Sequence, residues 1–596
     1  MTTADLRKHL PDTTLVASAA ALLLVFAAKL LPVFHGETIG HDYAFAYPKL
    51  AAYYYWIERN GLFAVPHFLP YMCAGIFDFA DPQSSYFSFP TGALLLLPIA
   101  WIWPATALLF ALVGIAGSYL LARRGLGIGP MPALLCACLI LFNGYYATRM
   151  AVGHVQLHGF MLLPWLALFC LQREPFASLA TARNIVGVGL IYAYLVHSGG
   201  YPLVIPSIIS ILVILVARAA NARELHAGVG RLMAGGLFGV LISAPRLIEM
   251  LHLMSVFPRN QYPLPGFASV FDTLQFMVAA LFFWPSENFL TGHLVNTRFA
   301  LQVHEAIYHV SVLPIAALAL FLLRPAGEPR LRWSSLFGPR GIALLLLLAL
   351  PVALNTYEPH WNALLKRVPI IGQSSNLVRY TLAYIVPFAA FTAWVFERTI
   401  AGTALRAPLF AGAVAIVLSG FLSADLQRFT RPGYDAKPIE DAFDGANYRG
   451  RRPITEVGAF IRSGQLFAPV GRDDIFLDGR SQILCYQAIF GYRLENMPLG
   501  NLRPGPATDL RNGTYNFRNP ACYVFPREND CRPGDNFRDG QIAELETFLD
   551  YGPLAYAEPG YLPAARAVSL AALGSALLAL LAPLLRRIGV QPRAAG

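Results

Sequence analysis

The first group of side chains that could do chemistry follows the first apolar run. His41 and Asp42 directly precede an aromatic stretch, residues 43–57, whose apolar side chains recur at helical spacing. That spacing predicts an amphipathic helix in the membrane interface, with Pro48 in its first turn. Asp is a favoured helix N-cap, and a carboxylate can also act as a general base. Position alone therefore leaves Asp42 open as a cap or as a catalytic base.

Other polar groups further along the chain also allow two interpretations. His41 and His154 could orient a base or bind an acceptor, although a lone histidine is more often structural. Asp78 and Asp81 form an Asp-x-x-Asp pair that could hold a divalent cation. Asp81 precedes Pro82, however, so it could equally begin a turn, and the turn is the simpler interpretation.

Glu305 is a further acidic candidate, within the stretch His304–His309. The two histidines are five residues apart rather than four, so they would not share a helix face as a zinc-binding pair does. No metal ligand set is therefore assigned, and a divalent cation stays one option. We expect Glu305 to be a second acidic group in a cavity.

Composition places these residues in a membrane protein. Hydrophobic residues make up 56% of the 596 residues and charged residues only 13%, about half of the share in soluble domains. The sequence therefore predicts a mainly α, polytopic bundle. We expect about twelve spans, at residues 14–34, 88–122, 131–147, 157–171, 184–197, 202–217, 232–248, 309–323, 341–356, 380–396, 407–424 and 563–585.

The net charge of +10 is an orientation signal rather than a nucleic-acid signal. With twelve spans, the short connectors on the side of both termini hold 18 basic and six acidic residues, Arg231 among them. Short loops rich in Lys and Arg are typically cytoplasmic, so we expect cytoplasmic N- and C-termini. We expect the run 88–122 then to cross once, after a short re-entrant or interfacial helix that ends at Trp101 and Trp103, although the two tryptophans would also suit an ordinary interface belt. No nucleic-acid motif is present.

This topology leaves outer loops at 35–87, 249–308 and 357–379, and a longer outer segment at 425–562. The predicted organisation is a membrane module (1–424), a small α+β domain (425–562) and a final helix with its tail (563–596). Strands are expected at Asp474–Leu477 and Cys522–Phe525, and a turn at Asn512-Gly513. Cys522 and Cys531 are spaced for a local disulfide, but Cys73 and Cys485 also lie outside, so the pairing stays open.

A resemblance to a known family is carried by the stretch Met72–Pro90, which contains Asp81-Pro82-Gln83. An Asp after the first span, aromatic interfacial helices and this stretch resemble the YfhO-type bacterial membrane proteins of the GT-C glycosyltransferase superfamily. Three later stretches are similar to the family: Arg149–His154 leading to Leu163-Pro164-Trp165, then Tyr308, and Val368-Pro369 followed by Asn376–Tyr380. The chain departs from the family at residues 371–375, where Ile-Gly-Gln-Ser-Ser stands in place of an early Arg.

The resemblance implies an inverting glycosyltransferase of the plasma membrane. Such an enzyme moves a sugar from a polyprenyl-phosphate donor to a glycan, lipid or protein acceptor on the outer face. Asp42 matches the family's acidic residue, which is implied to be the general base. The residues expected to bind substrate or the donor phosphate are Arg379, His41, Asp81, Gln83, Arg149, His154 and Glu305.

Two other functions stay open at this point. A flippase or transporter of lipid-linked glycans would need similar spans, and so would a non-catalytic envelope assembly protein built around 425–562. Lys366 and Arg367 could stabilise a leaving phosphate or could contact the headgroups of membrane lipids.

Overall fold

The computed structural model describes most of the chain and shows a mainly helical protein, with 64% helix and 6% strand. This agrees with the mainly α class expected from composition. The described residues are 13–172, 178–258, 264–285, 294–295, 302–323, 338–368, 371–374, 376–400, 405–431, 433–445, 448, 450–463, 465–467, 473–491 and 494–587.

The helices follow the apolar runs of the sequence. In chain order they are α1 (Thr13–Leu30), α2 (Tyr43–Asn60), α3 (Phe89–Ala93), α4 (Ile99–Leu120), α5 (Pro130–Leu141), α6 (Gly144–Val152), α7 (Leu163–Leu171), α8 (Leu179–His197), α9 (Val204–Arg218), α10 (Ala222–Ile242), α11 (Ala244–Val256), α12 (Val270–Phe282), α13 (Leu313–Leu322), α14 (Pro339–Asn355), α15 (Pro359–Arg367), α16 (Ile385–Ile400), α17 (Arg406–Ser423), α18 (Lys437–Ala442), α19 (Ala521–Val524), α20 (Ile542–Leu549) and α21 (Leu562–Arg587).

The strands are short and form small separate sheets. They are β1 (Phe68–Leu69), β2 (Ile76–Phe77), β3 (Gly266–Phe267), β4 (Leu294–Val295), β5 (Glu456–Gly458), β6 (Phe460–Arg462), β7 (Gln465–Phe467), β8 (Arg480–Gln482), β9 (Gly505–Pro506), β10 (Leu510–Arg511), β11 (Thr514–Arg518) and β12 (Asn536–Arg538). Three of the sheets lie within 425–562, in the orders β8-β5-β9, β10-β11-β12 and β6-β7. Among the strands of the described residues, only β5 and β8 pair in parallel.

Nine described helical stretches are long and apolar enough to cross a membrane, which indicates a membrane-embedded protein. Each overlaps one of the twelve predicted spans, and the other three predicted spans fall on shorter apolar helices. The count of twelve therefore stays a prediction, and several predicted connectors lie outside the described residues. The nine stretches are Val16–Val33, Ile99–Gly125, Pro130–Val152, Leu179–His197, Tyr201–Arg218, Ala222–Ile242, Val378–Thr399, Arg406–Thr430 and Leu562–Pro583.

Arg231 does not lie in a connector, contrary to the sequence-based expectation. It lies inside α10, where its side chain is buried and its Nη1 donates to the carbonyl oxygen of Cys170 at 3.3 Å. The helix begins early because Asn221 accepts a hydrogen bond from the backbone of Glu224, whose carboxylate accepts one in return from Ala220. This reciprocal cap was a usable sequence signal.

The run 88–122 contains a single helix of membrane-spanning length, α4, preceded by the short helix α3. Trp101 and Trp103 were expected at the end of the short helix, but they lie in the first turns of α4. Pro98 explains the difference, because it stands at the N-cap of α4 and ends the preceding turn.

Three local expectations were wrong. Pro48 is the sixth residue of α2 rather than part of its first turn, since the helix begins at Tyr43. Asp474–Leu477 lies in a 3-10 helix, and Cys522–Phe525 coincides largely with α19, which begins just after Pro520. Short apolar runs do not separate strand from helix by pattern, which explains both errors. The Asn512-Gly513 turn is confirmed between β10 and β11, with positive φ at both residues.

The part of the chain from 425 to 562 packs onto the segment 35–87, which follows α1. Tyr434 forms an isolated antiparallel bridge with Ile39, and Tyr47 donates to the carboxylate of Glu440 at 3.0 Å. A disulfide joins Cys73 to Cys485 across 412 residues of sequence. These links hold residues 425–562 against α2, the helix that follows Asp42, and against the stretch after it.

The disulfide pattern separates two groups of cysteines. Cys522 and Cys531 are paired locally, as their spacing permits, alongside the long-range pair. The three cysteines without a disulfide partner, Cys136, Cys138 and Cys170, are buried in helices.

We expect the long-range disulfide to hold the chain together after a cut between its cysteines. With a protease site inserted at residues 219–221 and an alkylating reagent present during denaturation, the two fragments should migrate as one band until reductant is added. The Cys73→Ser variant should release both fragments without reductant, whereas Cys522→Ser should not. Release from the wild-type chain would contradict the pairing.

Candidate functional site

The loop before α2 is held tightly against the end of α6. The backbone N–H of Asp42 donates to the carbonyl oxygen of Val152 at 3.0 Å. Gly153 then ends α6 with φ +104°, and a Cβ at this position would lie 2.5 Å from the backbone nitrogen of Tyr43. Only glycine combines that φ with such a close approach. The two chain segments therefore bring Asp42 next to the residue after Gly153, which is His154.

The carboxylate of Asp42 does not cap α2. Asp42 occupies the N-cap position, but its side chain makes no cap hydrogen bond. Its Oδ2 lies 2.5 Å from Nε2 of His154, and its Oδ1 lies 3.4 Å from Nε2 of His41. Of the two functions left open by sequence position, the structure therefore disfavours the cap.

His154 is held in one tautomer by its two neighbours. Nη1 of Arg149 lies 2.9 Å from Nδ1 of His154. Because a guanidinium has no acceptor, Nδ1 must accept, and the ring proton must stand on Nε2, where it is donated to Asp42. A doubly protonated ring would set two N–H groups against each other, so this arrangement favours a neutral imidazole.

Glu305 is shared by two arginines. Nη2 of Arg149 donates to Oε2 at 2.8 Å, and Arg379 donates to both carboxylate oxygens, through Nε at 3.0 Å and through Nη2. The hydroxyl of Tyr308 lies 3.0 Å from the carbonyl oxygen of Glu305 and 2.8 Å from that of Val378. Tyr308 thereby joins the 3-10 turn of Glu305 to the turn that carries Arg379.

Charge interactions decide the protonation of these groups. Burial alone would raise the pKa of Asp42, but the neighbouring His154, His41 and His304 lower it to about 2. Burial likewise opposes ionisation of Glu305, yet Arg149 and Arg379 hold its pKa well below the usual glutamate range. Burial lowers the pKa of His154 despite the Asp42 carboxylate. At neutral pH two carboxylates therefore balance two guanidiniums.

These six residues form one group, which we call the Asp42 cluster: His41, Asp42, Arg149, His154, Glu305 and Arg379. All six were candidates from the sequence, and the structure brings them together. The side chains of Arg149, His154 and Glu305 are at most 10% exposed, whereas those of Asp42, Arg379 and His41 are 24%, 24% and 34% exposed. A ligand can therefore reach Asp42, Arg379 and His41.

His304 adjoins the Asp42 cluster and was not among the candidates. Its ring centroid lies 5.0 Å from that of His154 and 5.6 Å from that of His41. In the sequence, His304 stood out only as half of a helical zinc pair, which its five-residue spacing to His309 excluded. The sequence feature that could have identified His304 as a site residue was its position beside Glu305 in the same short segment.

The donor set near His304 fits a metal cation poorly. Ligand atoms of His154, His304 and Glu305 lie within 4.8 Å of one another. However, both nitrogens of His154 already form hydrogen bonds, and the carboxylate of Glu305 is paired with two guanidiniums. A dication would have to displace these partners and stand beside two positive charges. We therefore derive no step through a metal at this site.

Asp81 and Gln83 lie elsewhere, and no hydrogen bond or ion pair joins them to the Asp42 cluster among the described residues. Gln83 is exposed, whereas Asp81 is buried and pairs with Lys49 at 2.8 Å. Asp81 belongs to a second group, which we call the Lys49 cluster: Lys49, Tyr53, Asp78, Asp81, Ser84, Arg246 and Gln487.

The Lys49 cluster makes the Asp-x-x-Asp pair a structural turn. Tyr53 and Ser84 donate to the Asp78 carboxylate, at 3.0 Å and 2.7 Å. Arg246 donates to the backbone carbonyl oxygen of Asp81 at 3.0 Å, and successive backbone hydrogen bonds form the turn. Since cations and donors already satisfy both carboxylates, the turn describes this pair better than a cation site does.

Comparison with known proteins adds no assignment. No family model matches the chain, and no curated protein matches it. The geometry of the site and the properties of its side chains therefore carry the functional argument.

We expect Glu305→Gln to destabilise the protein strongly. The change leaves the buried guanidinium of Arg149 and the partly exposed one of Arg379 without their counter-charge, and breaking a buried pair in this way typically costs about 3–5 kcal/mol. Glu397→Gln is the matched control, because the Glu397–Arg406 pair is partly exposed and should contribute about 0–1 kcal/mol. The measurement is the free energy of unfolding in detergent.

The Glu305 contribution should also depend on pH. Its pKa is lowered in the folded protein, so the stabilisation is complete above the ordinary glutamate pKa of 4.5 and is lost as the pH falls below it. Equal losses in the two variants, or a Glu305→Gln effect that does not become smaller as the pH falls below 4.5, would contradict the buried pairing.

Proposed function

We propose that this chain is a membrane glycosyltransferase that moves a sugar from a polyprenyl-phosphate donor to an acceptor hydroxyl, with Asp42 as general base. The observation that carries the proposal is the Asp42 carboxylate itself. It is ionised, partly exposed and oriented by His154, and it does not cap its helix. Ionisable groups so arranged are characteristic of catalytic sites.

The reaction balances with these groups. The acceptor oxygen bonds to the anomeric carbon, the bond from that carbon to the phosphate oxygen breaks, and its electron pair leaves on the phosphate. The acceptor proton passes to Asp42. Attack opposite the leaving group inverts the anomeric centre.

The low pKa of Asp42 sets the timing of the proton transfer. A carboxylate with a pKa of about 2 cannot deprotonate a free hydroxyl, whose pKa is far higher. The hydroxyl becomes acidic only as it bonds to the anomeric carbon, so the proton moves late. The hydrogen bond from His154 to Oδ2 restricts the carboxylate to one orientation, and its other oxygen, Oδ1, is the one available to the acceptor.

Arg379 is the residue best suited to the leaving phosphate. Its Nε and Nη2 are used by Glu305, whereas its Nη1 forms no hydrogen bond to a described residue. It also stands at the start of the candidate span Val378–Thr399, a depth at which a lipid headgroup phosphate could reach it. A guanidinium binds phosphate oxygens through charge-assisted hydrogen bonds.

The proposed location is the bacterial plasma membrane, with 425–562 on the outer side. The four paired cysteines support this, since disulfides persist in oxidising compartments. All four lie in the segments proposed to be outside.

The direct test is transfer by the purified protein. Radiolabelled polyprenyl-phosphate sugars are incubated with the protein in detergent and with glycan, lipid and protein acceptors, and labelled product is measured. Movement of the lipid-linked sugar across vesicle membranes without transfer would favour a flippase instead. Neither transfer nor movement would favour an assembly role and would overturn the proposal.

We expect Asp42→Asn to abolish most of the transfer while the protein folds normally. Asn keeps the size of the side chain but not its charge, so a general-base contribution of about 10²–10⁴-fold in rate should disappear. Glu37→Gln, an exposed carboxylate in the same loop, is the matched control and should keep wild-type activity. Transfer rate is measured at equal amounts of inserted protein. Near wild-type transfer by Asp42→Asn would refute the assignment.

We also expect His154→Phe to move the acid limb of the pH–rate profile upward. In the wild type, Asp42 stays ionised down to about pH 2, because its histidine neighbours offset burial. Without His154, burial dominates and the pKa of Asp42 rises, so activity should be lost at a pH about one unit or more higher. His360→Phe, at an exposed position, serves as the control. Superimposable profiles for the wild type and His154→Phe would show that His154 does not act on Asp42.

A further inference from the structure

His304 is a buried imidazole placed directly against the reactive group. It lies in the 3-10 turn Val303–Ala306 and is 5% exposed. Its ring meets that of His154 edge to face and lies near that of His41, the two histidines that contact the Asp42 carboxylate. His304 is therefore on the same side of the site as the proposed base.

The hydrogen-bonding capacity of His304 is not used within the described part of the chain. Neither ring nitrogen forms a hydrogen bond to a described residue, whereas both nitrogens of His154 do. Buried side-chain polar groups are nearly always paired, because an unpaired one loses its hydration without compensation. An imidazole that no described residue pairs, beside an accessible carboxylate, is therefore placed to hydrogen-bond a ligand.

The charges around His304 favour a neutral ligand group. A ring nitrogen of His304 lies within 4.8 Å of a Glu305 carboxylate oxygen, and Asp42 is a second anionic neighbour. The guanidinium of Arg149 also lies near His304, but Glu305 already pairs with it, so a phosphate has Arg379 as a better partner. A neutral imidazole offers one donor and one acceptor, and a hydroxyl group can pair with either of them.

We propose that His304 is a substrate-binding residue that hydrogen-bonds a second hydroxyl of the acceptor, next to the one that Asp42 deprotonates. The reacting hydroxyl donates its only hydrogen to Asp42, so the acceptor nitrogen of His304 needs a second hydroxyl as its donor, and the acceptor carries neighbouring hydroxyls, as a sugar does. The acceptor is thus a carbohydrate rather than a simple lipid alcohol. This inference rests on the proposed transferase function and deepens it.

The test compares His304→Phe with His304→Gln and His304→Asn. Phe keeps a ring for packing but removes both hydrogen-bonding atoms, while the amides retain a donor and an acceptor near one or the other ring nitrogen. With the donor and acceptor that support wild-type transfer, His304→Phe should raise the acceptor KM by about 2–10-fold, as expected for loss of a neutral hydrogen bond. The donor KM should not change, and at least one amide variant should restore the acceptor KM.

A second measurement does not depend on turnover. Methyl glycosides at millimolar concentration should raise the unfolding temperature of the wild-type protein in detergent, and a simple alkanol should not. The His304→Phe variant should lose this stabilisation, whereas Asp42→Asn should keep part of it.

The outcomes separate the two proposals. If Asp42→Asn abolishes transfer but His304→Phe leaves the acceptor KM unchanged, or raises the donor KM instead, the role of His304 is wrong and the transferase function stands. If the wild-type protein binds no glycoside, or binds the alkanol equally well, the carbohydrate acceptor is overturned. If no donor sugar is transferred at all, the transferase proposal fails first.

Discussion

One buried carboxylate, that of Glu305, is shared by two guanidiniums, and the candidate site depends on this pairing. Arg149 comes from the end of α6 and Arg379 from the turn before α16, so three distant segments must meet at Glu305. Buried charges are tolerated only when paired and hydrogen-bonded. Arg149 extends the same network to His154, and His154 to Asp42. The position of the partly exposed Asp42 carboxylate therefore depends on the buried pairing of Glu305 with the two arginines.

The loop that carries Asp42 is also fixed from its other sides. Gly153 allows the backbone of α2 to approach the end of α6, and the 425–562 segment covers α2 through Tyr434 and Glu440. The Lys49 cluster and the Cys73–Cys485 disulfide join the stretch after α2 to the 425–562 segment. Because the loop is fixed in this way, the Asp42 carboxylate loses little conformational freedom when a substrate binds, which is what preorganised catalysis requires.

The buried and the accessible residues of the Asp42 cluster have different roles. Arg149, His154 and Glu305 use their charges and hydrogen bonds on one another, so they position rather than react. Asp42 and Arg379 each keep unused capacity toward the accessible side, and the proposed reaction uses the first as an anion that takes a proton and the second as a cation that binds a phosphate. This division also explains why the His154–His304–Glu305 group is a poor cation site even though its ligand atoms are close.

The sequence by itself predicted the mainly helical class, about twelve apolar spans, nine of which coincide with described helices of membrane-spanning length, and the six members of the Asp42 cluster as candidates. It could do so because periodicity and isolated polar residues in an apolar chain are local properties. It could not show that the Asp42 carboxylate makes no cap hydrogen bond, pair Cys73 with Cys485, or join Arg149 to Glu305 across 156 residues. Nor could it find the partners of Asp81, since Lys49 of α2 pairs with its carboxylate and Arg246 of α11 donates to its backbone carbonyl oxygen. Only the tertiary structure decided these points, since a side chain's role depends on which distant groups satisfy its charge and hydrogen bonds.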